Sequence, residues 1–423
     1  MNCTFGETYI ATRGKHRGGI ILPSLKGLFV AFILINLLLS QISVKAQIAF
    51  QPRAAIIPSQ LFQEPPKLNS TAKGGPWSEA STWVGGVVPS ASDDVNIAYG
   101  AKVIVDINTA ECLNIVINGS LIMSDAVDLK VYGNWVNNGT FTANASSVSF
   151  KGSGNSSISG QSTTLFKDII VDKGSDVSSI LEVNSLDSVS NTGNITLLNG
   201  TLKLTTGTFQ FNTAPIIPAT AGLWLAGATL NSGNFSFINR GWLRITSGTA
   251  NIGTHKNNRL LTQFTGLLQV EGGTLNIAGR LENTAGGNPN NLIPGTGISI
   301  SAGVINLNTV GSDDKETGTF HASATSDLNI SGGTIVLRKP NAALVPFNDV
   351  YIIPGTGKKI ISGGTFQFGD ANTPDRSLFL INSAVPVNNL IISSDSKPKV
   401  SLTGPLAINN QLSLNGHLLL NGH

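Results

Sequence analysis

Hydrophobic and polar positions follow a short pattern that recurs four times in the second half of the chain. Each copy is an apolar residue, a polar residue, a Gly-Gly or Ala-Gly pair and four residues of a strand-like run. The copies begin at Val270, Ile300, Ile330 and Ile361, in steps of 30, 30 and 31 residues. A fixed period of this length is typical of solenoids. The pattern predicts an all-β fold, a parallel β-helix with stacked rungs of roughly 25–30 residues.

The physical reason lies in the alternation, whose period of two directs residues such as Leu275 and Ile277 to one face. The glycines before each run permit positive φ or a close bend. One such strand cannot bury its apolar side alone, whereas stacked copies bury it continuously. A row of β-sandwiches also has short, regularly spaced strands. A sandwich needs about 100 residues, so the period favours the β-helix.

The array has further segments on both sides. We expect the array to begin at a weaker copy of the repeat, whose first residue is Ile245, 25 residues before Val270. The chain ends at His423, directly after Asn421-Gly422, so we expect it to be the N-terminal part of a longer protein or of an interrupted gene. The predicted segments are a signal peptide over 1–46, a linker or entry segment over 47–75, a capping module of paired strands over 76–145, irregular rungs over 146–244, the regular array over 245–370 and a further, apparently truncated rung unit over 371–423.

The signal peptide is predicted from a basic region, with Lys15, Arg17 and Lys26, followed by 13 mostly apolar residues over 27–39. A membrane span needs about 20 residues, so we expect cleavage after 44–46 rather than an anchor, with no transmembrane segment left afterwards. The product is then secreted or held at the outer cell surface.

Composition and charge narrow the function classes. The chain has 47 Gly and 12% charged residues, against about 25% charged in ordinary domains. The formal charge is +3, but residues 1–46 hold five basic groups and one acidic group, which leaves 22 basic and 23 acidic. A near-neutral chain without basic blocks argues against nucleic acid as a partner. Cys112 lies in an apolar strand pattern and is expected to be a buried, inert thiol.

A family resemblance appears between residues 76 and 145. The motif Trp-Val-Gly-Gly-Val-Val-Pro at 83–89 is followed by Asp-Asp-Val-Asn-Ile at 93–97 and by Asn-Gly-Ser-Leu and Asn-Gly-Thr-Phe at 118–121 and 138–141. This resembles the start of large secreted bacterial β-helix surface proteins and is similar to a divergent eight-glycine extracellular domain. The resemblance implies a structural module. We expect Trp77, Trp83 and Trp135 to cover the end of the first rung; a sugar-stacking platform is the alternative.

Signatures of chemistry are missing from the sequence. The five histidines are scattered, and no zinc spacing, nucleophile elbow or phosphate-binding loop occurs. We therefore expect no catalytic residue, no metal site and no cofactor. Asp93-Asp94, and Asp313-Asp314 with Glu316, are candidate calcium ligands, although solvated turn acids are the better interpretation.

The candidate binding residues are two tryptophans and two arginines: Trp224 and Trp242 to stack on sugars, with Arg240 and Arg244 beside them. Core packing or turn covering is the alternative role. We predict a secreted cell-surface structural or adhesive repeat protein, with extracellular glycans or cell-surface components as candidate partners. The alternative is a β-helix that binds or cleaves polysaccharide. Four charged residues of the array are candidates to test for cleavage, although they do not recur at equivalent positions of the repeat. They are Glu271, Arg280, Asp327 and Arg338.

Overall fold

The computed structural model describes residues 67–286, 295–315, 317–343 and 348–423. Among these residues, the named strands pair in parallel, as between Leu267–Ile277 and Gly297–Leu307, and a turn of 3-10 helix at Ala80–Thr82 is the one helical element. The strands stack coil upon coil, which confirms the predicted parallel β-helix. The predicted signal peptide over 1–46 and most of the segment over 47–75 lie outside the described residues.

Each complete coil has three sides, which we call faces 1, 2 and 3 in chain order. Trp242–Ile252 covers face 1 and then face 2, with a bend at Gly248 where φ is +85°. Arg259–Thr262 covers face 3, and Leu267–Ile277 begins the next coil. Face 1 and face 2 strands of one coil therefore pair with their counterparts in the next, as Ile245 does with Val270 and Ala250 with Leu275.

The strands form three sheets. The largest has 24 strands. It covers face 1 along the chain, face 2 in the coils toward the C-terminus and face 3 in the coils toward the N-terminus. Its strands are Lys67–Asn69, Asp94–Ile97, Glu111–Cys112, Ile115–Ile117, Asp128–Val131, Trp135–Asn137, Ser147–Phe150, Ser156–Gly160, Thr164–Phe166, Asp168–Asp172, Ile180–Val183, Val189–Asn191, Ile195–Leu204, Thr208–Gln210, Ala221–Asn231, Trp242–Ile252, Leu267–Ile277, Gly297–Leu307, Leu328–Ile330, Thr334–Leu337, Lys359–Ile361, Thr365–Phe368, Val387–Ile392 and Ile408–Leu414.

The other two sheets complete the coils. In the coils toward the N-terminus, face 2 is a sheet of 4 strands. In the coils toward the C-terminus, face 3 is a sheet of 9 strands. The strands of the smaller sheet are Gly74–Pro76, Lys102–Val105, Ser120–Met123 and Thr140–Thr142. Those of the larger one are Ile216–Ile217, Phe237–Asn239, Arg259–Thr262, Arg280–Asn283, Phe320–Ala322, Val350–Ile352, Leu378–Ser383, Lys399–Leu402 and His417–Leu419.

The predicted register of the array is confirmed by the strand pairing. Val270 pairs with Ile300, Ile300 with Ile330, and Ile330 with Ile361. On face 1, the step between paired residues outside the array is 20 to 27 residues, as from Ile115 to Trp135 and from Lys67 to Asp94. In most strands alternate residues point inward and are buried, so the core is a continuous column rather than a row of separate clusters.

The glycine pairs of the repeat serve the bend between faces 1 and 2. Gly273, Gly303, Gly333 and Gly364 have φ values of +67°, +84°, +76° and +74°, a region that favours glycine. The first glycine of a pair is needed for a different reason: a Cβ at Gly332 would lie 2.0 Å from the carbonyl oxygen of Ser301 in the preceding coil. The second position of the motif is therefore glycine in all four copies, whereas the first is glycine in three copies and Ala302 in the other.

The start of the helix is closed by two tryptophans. Trp77 and Trp83 are 0% and 2% exposed, their rings meet edge to face at 4.9 Å, and Trp83 Nε1 donates to the Trp77 carbonyl oxygen at 2.9 Å. The expectation for Trp135 was wrong: its side chain lies deeper in the column, 4.8 Å from the Phe141 ring, because its position in the alternation points inward. All three indoles are buried, so none forms an open sugar platform.

Candidate functional site

A ladder of charged and aromatic side chains crosses the outer surface of face 1. Glu182, Lys203, Trp224 and Arg244 occupy equivalent positions in four successive coils. The alternation places them outward, where stacking brings side chains of neighbouring coils about 4.8 Å apart. Long side chains at that spacing reach one another, so a contact at each step is expected.

The contacts alternate between ion pairs and cation–π contacts. Lys203 Nζ lies 2.8 Å from Glu182 Oε1 and 4.5 Å from the centroid of the Trp224 ring. Arg244 Cζ lies 4.2 Å from the same centroid, from the coil on the other side. Arg244 also donates from Nε and Nη2 to Glu271 Oε2 at 2.9 and 2.7 Å. Trp224 is thus held between two cations, each of which is neutralised by its own carboxylate.

Trp242 joins this ladder from the side. Its ring lies 6.4 Å from that of Trp224, with 35° between the planes, and Arg244 Cζ lies 5.5 Å from its centroid. The indole N–H groups are also engaged, since Trp224 Nε1 donates to Thr246 Oγ1 at 2.9 Å and Trp242 Nε1 to Gln269 Oε1 at 3.0 Å. The structure therefore brings together three of the four candidate residues, both tryptophans and Arg244, in a half-buried cluster.

Arg240, the fourth candidate, lies at the corner between faces 3 and 1 and contacts a residue that the sequence analysis did not single out. Its Cζ lies 5.3 Å from the ring centroid of Phe264, which is 64% exposed. The signal available in the sequence was an aromatic residue in a turn, directly before Thr265-Gly266. The contact itself joins two coils and depends on how long each coil is.

A groove of about 360 Å³ follows on face 1, toward the C-terminus. Thr296 Oγ1 donates to Asp327 Oδ2 at 2.6 Å, and the Lys358 backbone N–H donates to Asp327 Oδ1 at 2.8 Å. Asp327 is the one carboxylate among the described lining residues, whereas glycoside hydrolysis usually employs two. The lining includes Leu267, Gln269, Thr296, Asp327, Lys358 and Ile360.

The other array charges lie apart and are engaged separately. Arg280 is buried, with Nη2 2.9 Å from Glu282 Oε1, and it also contacts Asp314. Arg338 Nε lies 2.7 Å from Asp370 Oδ2 on another coil. The Arg280–Glu282 pair lies within one strand. The other contacts, together with the pairing of Glu271 to Arg244, join neighbouring coils rather than converge on a common point.

The acidic pairs proposed for calcium bind protein groups. Asp93 Oδ2 accepts from the Ser90 backbone N–H at 2.8 Å, and Asp94 Oδ1 accepts from Asn114 Nδ2 at 2.6 Å. Asp313 pairs with Lys256 at 2.6 Å, and Glu316 lies outside the described residues. In the described ranges, no group of three or more His, Cys, Asp or Glu side chains is arranged to hold a metal ion.

Four buried titratable groups have displaced pKa values. Burial, with the nearby Asp94, Glu111 and Asp93, raises the pKa of the Cys112 thiol far above its usual range. Burial lowers the pKa of Lys173 to about 8 and raises that of Asp349 to about 7. It also lowers the pKa of His321. Cys112 and Lys173 lie on early coils, and His321 and Asp349 lie on face 3 of the array.

The fold defines the class of this protein as a parallel β-helix. Within it, residues 82–199 match the family model described as the G8 domain. The match begins in the module whose motifs were compared with a secreted extracellular domain above and extends over further coils. No curated protein and no solved structure matches the chain. In the part of the chain that the structure describes, no helix is long and apolar enough to cross a membrane.

Proposed function

We propose that this chain is a secreted structural and adhesive repeat protein of a bacterial cell surface, with the β-helix as its stalk. The observation that carries the proposal is the pairing of outward polar side chains from coil to coil. Asn251 Nδ2 donates to Asn231 Oδ1 at 2.9 Å, Asn276 to Asn251 at 2.8 Å and Asn306 to Asn276 at 2.7 Å. Such a ladder joins four coils by identical bonds.

A second ladder runs through the early coils. Asn96 Nδ2 donates to Asn69 Oδ1 at 2.8 Å, and Asn118 Nδ2 donates to Asn96 Oδ1 at 2.9 Å. Amide groups in a chain of hydrogen bonds polarise one another, and their bonds oppose sliding or tilting of one coil on the next. These residues serve stiffness, which is the property that a stalk requires.

The extracellular location is supported by two independent features. One is the match of residues 82–199 to the G8 domain, and the other is the leader pattern at residues 1–46. Extracellular glycans or cell-surface components are the proposed partners. The near-neutral charge outside the leader disfavours nucleic acid, because binding to phosphates requires clustered basic groups.

A polysaccharide-cleaving protein is the alternative, and the groove at Asp327 is the observation that favours it. Its test is release of reducing or unsaturated ends from a polysaccharide by the full chain, abolished in Asp327→Ala but retained in Glu271→Gln. Turnover that meets both conditions supports the enzyme. The stalk proposal expects no product with either variant or with the native chain.

The adhesive part is tested by attachment under flow. Cells that make the full chain are compared with cells from which its gene is deleted, on surfaces coated with polysaccharide. The proposal expects deletion to lower retention and re-introduction of the gene to restore it. Equal retention with and without the gene contradicts adhesion, and the stalk would then be a structural element alone.

A further inference from the structure

Phe264, at the corner between faces 3 and 1, has a backbone conformation that phenylalanine rarely adopts. Its φ is +56° and its side chain is 64% exposed. A bulky residue at positive φ is strained, and an exposed ring gains little from the hydrophobic effect. Glycine or asparagine would fit the turn at lower cost. Neither packing nor turn geometry therefore accounts for an aromatic ring here.

Arg240, one coil earlier, is held against this ring. Its Cζ lies 5.3 Å from the Phe264 centroid. When the Gln263 amide oxygen faces the guanidinium, it accepts from Nε at 2.7 Å and from Nη2 at 3.0 Å. These contacts fix the plane of the guanidinium while Arg240 stays exposed. The Nη1 group, which makes no hydrogen bond among the described residues, and the second N–H of Nη2 are left for a ligand.

Arg240 also differs from the other arginines of the described residues in how its charge is neutralised. Each of the others has a carboxylate within ion-pairing distance, whereas the Arg240 guanidinium has none among the described residues and contacts Gln263 and Phe264, which are neutral. A fixed, unneutralised guanidinium is suited to a carboxylate, which it binds through two parallel hydrogen bonds. The arginines that are paired are Arg244, Arg259, Arg280, Arg338 and Arg376.

We propose that the Arg240–Phe264 corner binds a carboxylated sugar unit of a polysaccharide. The guanidinium takes the carboxylate, and the exposed part of the Phe264 ring packs against the C–H face of the same or the adjoining sugar. An extended peptide is the poorer occupant, because the strands at this corner are paired with coils on both sides and offer no free edge for strand addition. The inference rests on the proposed adhesive function and specifies the chemistry of its ligand.

The test is binding of the full chain to polygalacturonate, with the same polymer after reduction of its carboxyl groups as the matched neutral probe. The corner predicts binding to the first and at least about tenfold weaker binding to the second, the usual effect of losing a charge-assisted hydrogen bond. Arg240→Gln and Phe264→Asn should each weaken binding to polygalacturonate by a similar factor. Binding should also fall as salt is raised.

Two exposed residues elsewhere provide matched controls. Arg376→Gln removes a charge, and Tyr99→Asn removes a ring that is 90% exposed; both should bind like the native chain. Thermal unfolding excludes a folding defect, since Phe264→Asn relieves strain and should leave the melting temperature unchanged or raised. The proposal is overturned by equal binding of the carboxyl-reduced polymer, by unchanged binding of the Arg240 and Phe264 variants, or by polyglutamate that competes as well as the sugar polymer.

Failure of this inference is separable from failure of the proposed function. A chain that reaches the cell surface but shows no binding to polygalacturonate contradicts the Arg240–Phe264 site and leaves the stalk in place. A chain that remains inside the cell contradicts the surface role, whatever it binds in solution.

Discussion

Arg244 Cζ lies 4.2 Å from the centroid of the Trp224 ring, in the coil before its own. The contact closes a ladder in which Lys203 approaches the same indole from the opposite side. Trp224 and Arg244, two of the candidate sugar-binding residues, therefore take part in contacts that hold three coils together. The Trp224 ring is half-buried between two cations, whereas the Phe264 ring at the neighbouring corner is 64% exposed.

The Trp224–Arg244 pair should be energetically coupled. In a double-mutant cycle of Trp224→Ala and Arg244→Met, we expect a coupling free energy of about 0.5–1 kcal/mol, the usual size of a partly exposed cation–π contact. The measurement is chemical denaturation of the four proteins. Strictly additive effects would show that the proximity of the two side chains contributes no stability.

The second glycine of the array motif should be irreplaceable. Gly333→Ala places a Cβ at φ +76° and 2.9 Å from the Ala302 carbonyl oxygen, so we expect a loss of about 1–2 kcal/mol in the free energy of unfolding. Gly154→Ala is the matched control, because nothing lies within 4 Å of its added Cβ. The account is contradicted if the two substitutions change the melting temperature equally.

Asp349 should make stability depend on pH. Burial raises the pKa of its carboxyl to about 7, against the hydrogen bonds it accepts from the backbone N–H groups of Leu380 and Asn341. Between about pH 4 and pH 7 the folded chain keeps a proton that the unfolded chain has lost. The stabilising contribution of Asp349 to the free energy of unfolding is therefore full below about pH 4, falls as pH rises toward 7, and is lost above about pH 7.

The change expected from Asp349 is on the order of 4 kcal/mol across that range, measured as the free energy of unfolding. Asp349→Asn keeps the shape and removes the titration, so its pH profile should be flatter. Asp187→Asn, an exposed substitution, should keep the native profile. An unchanged slope in Asp349→Asn would assign the pH dependence to other groups.

Cys112 should be unreactive in the folded chain. Its side chain is 0% exposed, and burial raises the pKa of the thiol, so little thiolate forms near neutral pH. In a Cys3→Ser background, a thiol reagent should label the protein only after denaturation. Labelling at the rate of a free thiol would place Cys112 at the surface and contradict the packing of the early coils.

Features of the fold that repeat from coil to coil were predictable from the sequence, whereas features that occur once were not. The register of the array followed from Val270, Ile300 and Ile330, because stacking imposes the same environment on each copy. Trp135 was misplaced because a terminal cap and an interior position both favour a large aromatic side chain. Whether that residue points inward depends on its odd or even position in a short strand. This position is set by the pairing of the strand with the strands of neighbouring coils.

The site was predicted in part for the same reason. Trp224, Trp242 and Arg244 are close in the chain and belong to adjacent coils, so their clustering was foreseeable. The Arg240–Phe264 contact joins positions 24 residues apart, and the step between paired residues varies along the chain from 18, as from Lys102 to Ser120, to 39, as from Leu281 to Phe320. Without the coil length, no spacing rule selects Phe264, and its positive φ has no signature in the sequence.

Accessibility to an external protease distinguishes a chain at the cell surface from a chain inside the cell. Intact cells that produce the full chain, with a tag placed after residue 423, are treated with protease and compared with lysed cells, and a cytoplasmic protein serves as the integrity control. The account predicts that the chain is cleaved on intact cells while the control survives. A chain that is cleaved only after lysis would contradict a stalk at the cell surface.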